Sequence, residues 1–541
     1  AQDLVDGGDL VNTFNSPGVP GGIVVVGPTV ATPTTSTINV LAPTVVAEWS
    51  QFNVPVNTTL NINNLSTAAQ ANLLNRVIGG GASDISGTIN AADVNLWLIN
   101  QNGILFGSTG SVNAGSFVAS TLDVSNQDFF NFGNTNGTSS VKFAGTSVSG
   151  ISSAGGTITT DGTLFFASQA LDLAGTYDAG SGRAAFVAAS DVDVQFDAGS
   201  PLNYTIISGT TVARQTVDGS VSGAGVDFQM VSAAGVVGAL LQVDASVTAT
   251  TAVATDTGIL LQASGSGASQ PSVRTNGTLD STGIIDIDVD DNFTATDSIT
   301  GSSVSINAMG NVIATTNGTV GGVGIDITST DAGSLLEVVA SGRLVAGDLS
   351  SGGNIITNSA IATSVGTQTA AGSITGVSGA TYDSGLMTAT NGFIDVMSTG
   401  NTTIAGYRSG SSTDVISSAG NVDITAASRS AGDSTLTSTN RNVSTRGIVT
   451  TAGGNIDLNA GRDLTSMGIL NADGNVSLDA SNGLIGVDAV IAGGDIDTMS
   501  RLSTTTGSQS ARGSVTGVAG REYTSGIIIS DTGPIDVTST D

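Results

Sequence analysis

Residues 454–458 read Gly-Asn-Ile-Asp-Leu, residues 474–478 read Gly-Asn-Val-Ser-Leu, and residues 494–497 read Gly-Asp-Ile-Asp. The three segments begin 20 residues apart. In each of them a glycine suited to a turn precedes alternating apolar and polar residues, which is the pattern of a strand with one buried face. Such a strand cannot bury its apolar face alone, so we expect neighbouring repeats to stack on one another.

The length of this repeat favours one architecture. A period of about 20 residues with several short strands fits one coil of a parallel β-helix. Leucine-rich repeats need leucines at fixed positions, and propeller blades need about 40 residues with a Gly-His and Trp-Asp signature. The chain has neither pattern, so we predict an all-β parallel β-helix. Looser copies of the turn-and-strand pattern begin at Gly310, Gly353, Gly392, Gly420 and Gly533.

A second, longer repeat overlies the coils. Residues 366–399 match residues 507–540 at an offset of 141 residues, which is about seven coils. Tyrosine occurs only five times in the chain, so an aligned tyrosine pair is informative. We expect the chain to be a fragment of a longer repetitive protein. The match is anchored by the pairs Gly372/Gly513, Gly376/Gly517, Tyr382/Tyr523, Gly385/Gly526 and Asp395/Asp536.

The composition agrees with short strands and tight turns. The 541 residues include 74 glycines and 44 acidic residues, but the only glutamates are Glu48, Glu337 and Glu522, and the only lysine is Lys142. The acidic charge is therefore nearly all aspartate, a turn residue, where a helical protein would use glutamate.

Several classes of function are excluded or disfavoured by what the sequence lacks. Cysteine and histidine are absent, which excludes disulfides, thiol nucleophiles, Cys-rich zinc sites, His-ligated metals and Ser–His–Asp triads. The formal net charge of −30 disfavours binding to nucleic acid or to an anionic bilayer. No apolar run approaches the ~18 residues of a membrane-spanning helix.

The N-terminal third is less repetitive and contains an ordered set of distinctive segments. In this order they resemble the haemagglutination-activity, or two-partner-secretion, domain of filamentous-haemagglutinin-like exoproteins. The resemblance covers residues 27 to about 200, with a looser match through residues 156–158 and 184–189. The segments are residues 49–53 (Trp-Ser-Gln-Phe-Asn), 74–77 (Leu-Asn-Arg-Val), 79–80 (Gly-Gly), 96–107 (Leu-Trp-Leu-Ile-Asn-Gln-Asn-Gly-Ile-Leu-Phe-Gly), 112–115 (Val-Asn-Ala-Gly) and 117–123 (Phe-Val-Ala-Ser-Thr-Leu-Asp).

This resemblance implies a fold, a partner and a location. The family folds as a right-handed parallel β-helix with an N-terminal cap, so we expect residues 1–200 to form the capped secretion domain. Residues 201–541 are then expected to continue as a β-helical shaft. The family is exported across the Gram-negative outer membrane by a dedicated β-barrel transporter, whose periplasmic domains recognise the N-terminal region. The protein is therefore expected to be secreted or displayed on the cell surface.

The resemblance also points to candidate recognition residues. The central motif of the family usually reads Asn-Pro-Asn-Gly, whereas here Gln101 replaces the proline between Asn100, Asn102 and Gly103. Proline would fix φ at the second turn position, and its loss leaves the Asn-Gly turn signal in place. The candidates for transporter recognition are Asn100, Gln101, Asn102, Gly103, Asn75 and Arg76.

A purely structural explanation of the same residues stays open. In that explanation Asn102 and Gly103 turn a corner between coils, and the flanking strands supply core residues. Arg76 has few charged neighbours in sequence, so it is expected to bond backbone carbonyls or to pair with Asp84 or Asp93. The expected core positions are Ile99, Ile104, Leu105 and Phe106.

Two groups of aspartates are candidates for chemistry. Strand alternation places Asp286, Asp288 and Asp290 on one face, where a bound calcium ion would relieve their repulsion. A solvated outer face explains the same pattern. Residues 191, 193 and 197 form a weaker aspartate pattern, and we expect no lysine near either group. Because β-helical polysaccharide lyases combine carboxylates with a basic residue, we expect no enzyme and, calcium aside, no cofactor.

The sequence thus favours a secreted large adhesin or surface fibre, with an export domain and a repetitive shaft. Its ligand could lie on a host cell, on another bacterium or on a polysaccharide. A self-assembling extracellular filament or matrix protein is an alternative, because exposed strand edges could stack. A polysaccharide lyase and the stalk of a secreted toxin are further alternatives.

Overall fold

The computed structural model describes residues 10–16, 18–28, 34–135, 139–196, 203–250, 257–265, 271–297, 299–308, 312–314, 327–329, 332–333, 335–340 and 342–540. The chain divides into two compact units, Ala1–Phe293 and Thr294–Asp541. The described residues form strands throughout, with one helix, α1 (Asn126–Asn134). No described helix is long and apolar enough to cross a membrane.

The first 28 described strands are short, as the turn-rich sequence predicts. They are β1 Leu10–Ser16, β2 Val19–Pro20, β3 Ile23–Val26, β4 Thr35–Val40, β5 Thr44–Trp49, β6 Thr59–Asn64, β7 Ala71–Val77, β8 Ser83–Ile85, β9 Thr88–Ile99, β10 Ile104–Phe106, β11 Ser111–Ser120, β12 Asp123–Val124, β13 Ser140–Ala144, β14 Ile151–Ser153, β15 Gly156–Thr160, β16 Leu164–Ser168, β17 Leu171–Asp178, β18 Arg183–Gln195, β19 Asn203–Gly209, β20 Arg214–Gly223, β21 Gly225–Ser232, β22 Leu240–Val243, β23 Ser246–Ala249, β24 Thr257–Gly265, β25 Ser272–Thr275, β26 Leu279–Ser281, β27 Ile284–Val289 and β28 Phe293–Ala295.

The remaining described strands continue the same pattern to the end of the chain. They are β29 Ile299–Gly301, β30 Ser303–Ala308, β31 Val312–Ala314, β32 Ile327–Ser329, β33 Leu335–Ala340, β34 Leu344–Val345, β35 Leu349–Ser351, β36 Asn354–Ser359, β37 Thr363–Val365, β38 Gln368–Ala370, β39 Ile374–Ser378, β40 Tyr382–Ala389, β41 Ile394–Ser398, β42 Thr402–Ser409, β43 Thr413–Ser417, β44 Val422–Ile424, β45 Ser428–Ser430, β46 Ser434–Ser438, β47 Val443–Thr445, β48 Ile448–Thr450, β49 Ile456–Ala460, β50 Leu464–Ala472, β51 Val476–Ala480, β52 Ile485–Ala492, β53 Ile496–Ser500, β54 Thr504–Ala511, β55 Val515–Ala519, β56 Tyr523–Ser525, β57 Ile528–Ser530 and β58 Ile535–Ser539.

The second unit shows how the repeat produces the fold. Each strand pairs in parallel and in register with the strand one coil later, so that Ile456, Val476 and Ile496 stack at equivalent positions. Apolar residues of these strands are buried and the residues between them are less so. From β39 to β58, equivalent residues recur every 19 to 22 positions: 374, 394, 413, 434, 456, 476, 496, 515 and 535. The predicted parallel β-helix is confirmed.

Antiparallel strands cover the first coil of the N-terminal unit. Strand β1 pairs antiparallel with β5, placing Phe14 opposite Val46. Strand β3 pairs antiparallel with β4, placing Val25 opposite Ile38. On their other edges β4 and β5 pair in parallel with the next coil. The cap therefore satisfies strand edges that would otherwise be free to pair with another chain.

Two insertions build a second layer on the N-terminal coils. Strands β12, β13, the end of β18 and β19 pair antiparallel, and α1 lies beside them. Helix α1 begins at Ser125, whose hydroxyl accepts a hydrogen bond from the Asp128 N–H at 3.0 Å, and Phe129 and Phe130 are buried. This layer covers the outer side chains Val46, Leu74, Trp97, Val118 and Phe165.

The covering layer explains the most apolar strands of the chain. Residues 96–99 are all buried, because one set of side chains faces the coil interior and the other faces the added layer. Trp97 stacks on Phe143 with ring centroids 5.6 Å apart and meets Phe129 edge to face at 5.1 Å. The coils that carry the candidate site therefore have two cores.

Candidate functional site

Asn75 lies at the centre of a buried hydrogen-bond network between adjacent coils. Its side-chain oxygen accepts a hydrogen bond from the indole Nε1 of Trp49 at 3.0 Å, and its Nδ2 donates to the carbonyl of Trp97 at 3.3 Å. Asn75 and Trp49 are fully buried. Because an unpaired buried amide is costly, this asparagine holds three successive coils in register. It has no surface to offer a partner.

Arg76 joins the coils to the covering layer. Strand pairing sets it beside Glu48, with Nη1 3.6 Å from a carboxylate oxygen. Its Nε donates to Asp123 at 3.0 Å, and its other nitrogens donate to the side chain of Asn126 and the carbonyl of Val124. The expected bond to a backbone carbonyl is present. The expected pairing with Asp84 or Asp93 was wrong, because strand register brings Glu48 and the fold brings Asp123 to the guanidinium.

The predicted turn is a β-turn with Gln101 and Asn102 at its centre. The Gly103 N–H donates to the Asn100 carbonyl at 3.1 Å, and the Asn102 N–H donates to the Asn100 side-chain oxygen at 2.9 Å. Gln101 thus occupies the second turn position, where proline would fix φ. Gly103 is the last residue of the turn and has a φ of +113°, a conformation that favours glycine.

Neighbouring coils hold the turn on both sides. Asn100 is fully buried and its Nδ2 donates to the Gly81 carbonyl and the Ser83 hydroxyl, each at 3.0 Å. Asn102 Nδ2 donates to the Gly79 carbonyl at 2.6 Å. On the other side, Ser147 Oγ donates to the Gln101 carbonyl at 2.5 Å. The turn is therefore rigidly positioned although its central side chains are exposed.

Residues 27–283 match the TPS secretion domain family. This segment of the chain is a two-partner-secretion domain. A protein that carries this domain is a two-partner-secretion exoprotein, and the domain is the part that its outer-membrane transporter recognises. The match extends 83 residues beyond the resemblance to residue 200 seen in the sequence.

Comparison with solved structures gives a further match. The secretion domain of HMW1 from Haemophilus influenzae is 13% identical, with 98% of this chain and 99% of that chain covered and a TM-score of 0.31. No curated protein sequence matches the chain.

The six candidate residues of the two-partner-secretion domain fall into a buried group and an exposed group. Asn75 and Asn100 are buried, Gly103 is buried, and Arg76 is mostly covered. Gln101 and Asn102 are exposed. The structure thus brings Asn100, Gln101, Asn102 and Gly103 together in one turn, and places Asn75 and Arg76 in β7 of the preceding coil.

Two apolar side chains next to the turn were not predicted from the sequence. Ile78 is 52% exposed and precedes Gly79, whose carbonyl binds Asn102. Val148 is 63% exposed and follows Ser147, whose hydroxyl binds the carbonyl of Gln101. We call Ile78, Gln101, Asn102 and Val148 the turn surface. The hydrogen bonds from Asn102 to Gly79 and from Ser147 to Gln101 connect three segments that lie far apart in the sequence. No local sequence signal could therefore have revealed the turn surface.

One expected core position near the turn was wrong. Ile99, Ile104 and Phe106 are buried, but Leu105 is 39% exposed. Leu105 belongs to β10, a three-residue strand in which alternation turns the middle side chain outward. The covering layer that buries both faces at Trp97 does not include β10.

Of the candidate calcium aspartates, Asp286 and Asp288 lie on one face of β27, as strand alternation predicts, and Asp290 directly follows the strand. Asp286, Asp288 and Asp290 are half-buried between Ile285, Ile287 and Val289. Desolvation raises the pKa of Asp286, and the Asp288 carboxylate raises it further. Asp290 accepts a hydrogen bond from the Gly265 N–H at 2.7 Å. Among the described residues no group of three or more His, Cys, Asp or Glu side chains is placed to hold a metal ion.

The second aspartate group does have a lysine beside it. Lys142 Nζ lies 3.0 Å from a carboxylate oxygen of Asp191, because antiparallel β13 brings Lys142 next to β18. The expectation of no nearby lysine was therefore wrong for this group. Asp193 lies on the same strand, and residue 197 is outside the described residues.

Proposed function

We propose that the chain is the export domain and proximal shaft of a large secreted adhesin or surface fibre. The two-partner-secretion domain supports the export role. The uniform coils of the second unit, 19 to 22 residues each, support a shaft whose work is reach and display. In this proposal the chain acts without catalysis, at the surface of a Gram-negative cell or released from it.

We further propose that the partner transporter recognises the turn surface. The observation that carries this proposal is that hydrogen bonds fix the turn at residues 100–103 through the buried Asn100, while the side chains of Gln101 and Asn102 are exposed. Two exposed apolar residues, Ile78 and Val148, adjoin them. A small apolar surface around fixed polar groups is the usual composition of a recognition site. Asn75 and Arg76 belong to β7, the strand that leads into Ile78.

An export assay tests the proposal. The chain is produced with its partner transporter in a Gram-negative host, and the exported fraction is measured for wild type, Asn102→Pro, Asn102→Ala and Gly103→Val. Proline at 102 removes the N–H that binds Asn100, and valine at 103 forces a β-branched residue to a φ of +113°. We expect export to fall at least tenfold for Asn102→Pro and Gly103→Val, and several-fold for Asn102→Ala.

The second unit contains a matched control turn. Asn482 Nδ2 donates to the Gly461 carbonyl at 3.1 Å, and the Gly483 N–H donates to the Ala480 carbonyl at 3.3 Å. Asn482→Ala therefore removes the same kind of bond outside residues 27–283 and should leave export unchanged. Equal export of Asn102→Ala and Asn482→Ala, or normal export of Asn102→Pro and Gly103→Val, would contradict recognition at the turn surface.

A further inference from the structure

The second unit contains a column of exposed arginines at one corner of its coils. Eight of the 14 basic residues of the chain lie between residues 408 and 521. Four of them follow the strands β46, β49, β53 and β55 at equivalent corners, and Asn482 takes this place after β51. All four side chains are exposed. They are Arg441, Arg462, Arg501 and Arg521.

The corner is rigid, and the nearby polar groups leave the arginine charges uncompensated. The Arg462 N–H donates to the Arg441 carbonyl at 3.0 Å, and the Arg521 N–H donates to the Leu502 carbonyl at 2.8 Å. The carboxylate of Asp463, next to Arg462, accepts the Leu484 N–H at 3.1 Å. The ion pairs found in the described part of the chain all lie between residues 48 and 227. None of them neutralises this column.

An acidic and hydroxyl column runs along the strands that precede this corner. Strand pairing stacks residues 435, 457, 477, 497 and 516, which are Thr, Asp, Ser, Asp and Thr. Asp457 is half-buried and Asp497 is exposed. Each coil therefore presents an acidic or hydroxyl residue first and an arginine or Asn482 four to six residues later.

A middle column separates the two and contains two apolar stretches. Val377, Met397 and Ile416 stack in three successive coils, and Met499 and Val518 stack in two later ones. Met397 is 48% exposed and Met499 is 59% exposed. Across this face the order is thus acidic column, middle column and arginine column.

We propose that two copies of the chain pack side by side through this face, related by a two-fold axis parallel to the coil axis. Such an axis reverses the order of columns across the face and leaves the position along the coils unchanged. Asp457 of one copy then meets Arg462 of the other, and Asp497 meets Arg501. Met499 and Val518 meet their own equivalents. The antiparallel arrangement is disfavoured, because it sets aspartates against aspartates.

A second copy fits this surface better than a polyanion does. Over the five coils from β46 to β55 both columns are present, at a spacing of about 4.8 Å per coil, so the charges of two copies match over these coils. A linear polyanion bound to the arginines would lie beside the Asp457 and Asp497 carboxylates. Nine coils offer roughly 700 Å² per copy, estimated at ~4.8 Å per coil and ~3.3 Å per residue, a little below the ~800 Å² of a standard interface. The association is therefore reversible and concentration-dependent.

The net charge of −30 per copy sets the salt dependence. Long-range repulsion between two such copies extends over ~30 Å at 0.01 M salt and ~8 Å at 0.15 M, whereas contact pairs weaken strongly only when the screening length approaches ~3 Å at 1 M. The dimer should therefore be weaker at 0.01 M and at 1 M salt than at 0.15 M.

Charge reversal in separate variants tests the pairing. Asp457→Arg/Asp497→Arg makes both columns basic, and Arg462→Asp/Arg501→Asp makes both acidic. Sedimentation velocity at 0.15 M salt, from 5 to 200 µM protein, measures the dimer. We expect wild type to dimerise, each variant alone to associate at least tenfold more weakly, and an equimolar mixture of the two to recover a heterodimer. Circular dichroism confirms that each variant is folded.

A third variant and a competing ligand sharpen the result. The two-fold axis places Asp479 opposite its own equivalent, so Asp479→Asn should strengthen dimerisation several-fold. A monomeric wild type at 200 µM, or a mixture that does not associate, would overturn the proposal. Retention of a monomeric wild type on immobilised alginate, an anionic polysaccharide, would overturn it in favour of polyanion binding.

Discussion

The side-chain Nε2 of Gln368 donates a hydrogen bond to the buried hydroxyl of Tyr382 at 3.0 Å, and the 141-residue repeat reproduces the contact between Gln509 and Tyr523 at 2.8 Å. The hydroxyl also bonds Thr357 in the first copy and Thr498 in the second, both at 3.0 Å. The strands that contain Ile374 and Val515 are separated by seven coils. The longer repeat therefore conserves a buried polar network within this chain.

Tyr382→Phe should destabilise the coils around it. The substitution leaves the amide of Gln368 and the hydroxyl of Thr357 without their shared partner in a fully buried site, at a cost of about 1–2 kcal/mol. Hydrogen–deuterium exchange of peptides from residues 355–390 measures the loss locally. Tyr523→Phe is the matched control, because it removes equivalent bonds where the ring is only half-buried. A larger loss of protection for Tyr523→Phe would contradict the role of burial.

Asp414→Asn should stabilise the second unit near pH 7. Burial raises the pKa of Asp414, and the Asp395 carboxylate, stacked beside it in register, raises it further. A raised pKa in the folded state means that ionisation opposes folding, so the stability of wild type should rise as pH falls through this pKa. The gain levels off below the unfolded pKa of about 3.9. Asp414→Asn has no carboxylate to ionise at this position, so it should be more stable than wild type near pH 7 and should gain less stability as the pH falls.

Thermal unfolding between pH 3.5 and 8 measures that effect. Asp457→Asn is the control, since its neighbours in register are Thr435 and Ser477 rather than another carboxylate. The repulsion account predicts a higher melting temperature at pH 7 for Asp414→Asn than for Asp457→Asn. Equal melting temperatures for the two variants would rule it out.

Arg76→Met should weaken the attachment of the covering layer to the coils. Methionine keeps much of the side-chain length but leaves Asp123 and the Val124 carbonyl without their donor. Loss of charged hydrogen bonds in a largely covered site costs about 1.5–3 kcal/mol. Urea unfolding monitored by tryptophan fluorescence detects it, because Trp97 packs in that layer. Arg446→Met, at an exposed site, should change stability by at most about 0.5 kcal/mol.

The coils were predictable because their signal is local and repeated. A turn glycine followed by alternating Ile, Val or Leu specifies a one-faced strand, and three copies at a spacing of 20 specify stacking. The hydrogen bonds between successive coils at the Gly-Asn corners have the same origin. The side-chain oxygen of Asn455 accepts the Asn475 N–H at 2.8 Å, and that of Asn475 accepts the Asp495 N–H at 2.7 Å. The Gly-Asn pairs that marked the repeat thus also bond successive coils.

The covering layer was not predictable in the same way. Helix α1 has nine residues, too few for independent stability, and its sequence lacks strong helix formers other than glutamine. It forms because Phe129 and Phe132 pack on Trp97, which lies about 30 residues earlier in the chain. The partners of Arg76 depend on the same layer, since Asp123 precedes the helix. Long-range packing of this kind leaves no periodic trace in one sequence.

The candidate site was predictable in position but not in composition. The turn at residues 100–103 was found from its residues, and the buried roles of Asn75 and Asn100 were not, because a polar residue gives no sign of burial until its partners are known. Ile78 and Val148 became neighbours of the turn only through bonds to Gly79 and Ser147.

Direct binding to the transporter measures recognition of the turn surface separately from the other steps of export. The purified periplasmic domains of the partner transporter are titrated by calorimetry into wild type, Asn102→Pro and Asn482→Ala. We expect equal dissociation constants for wild type and Asn482→Ala and at least tenfold weaker binding for Asn102→Pro. Binding of Asn102→Pro that equals wild type would show that the transporter does not read the turn surface.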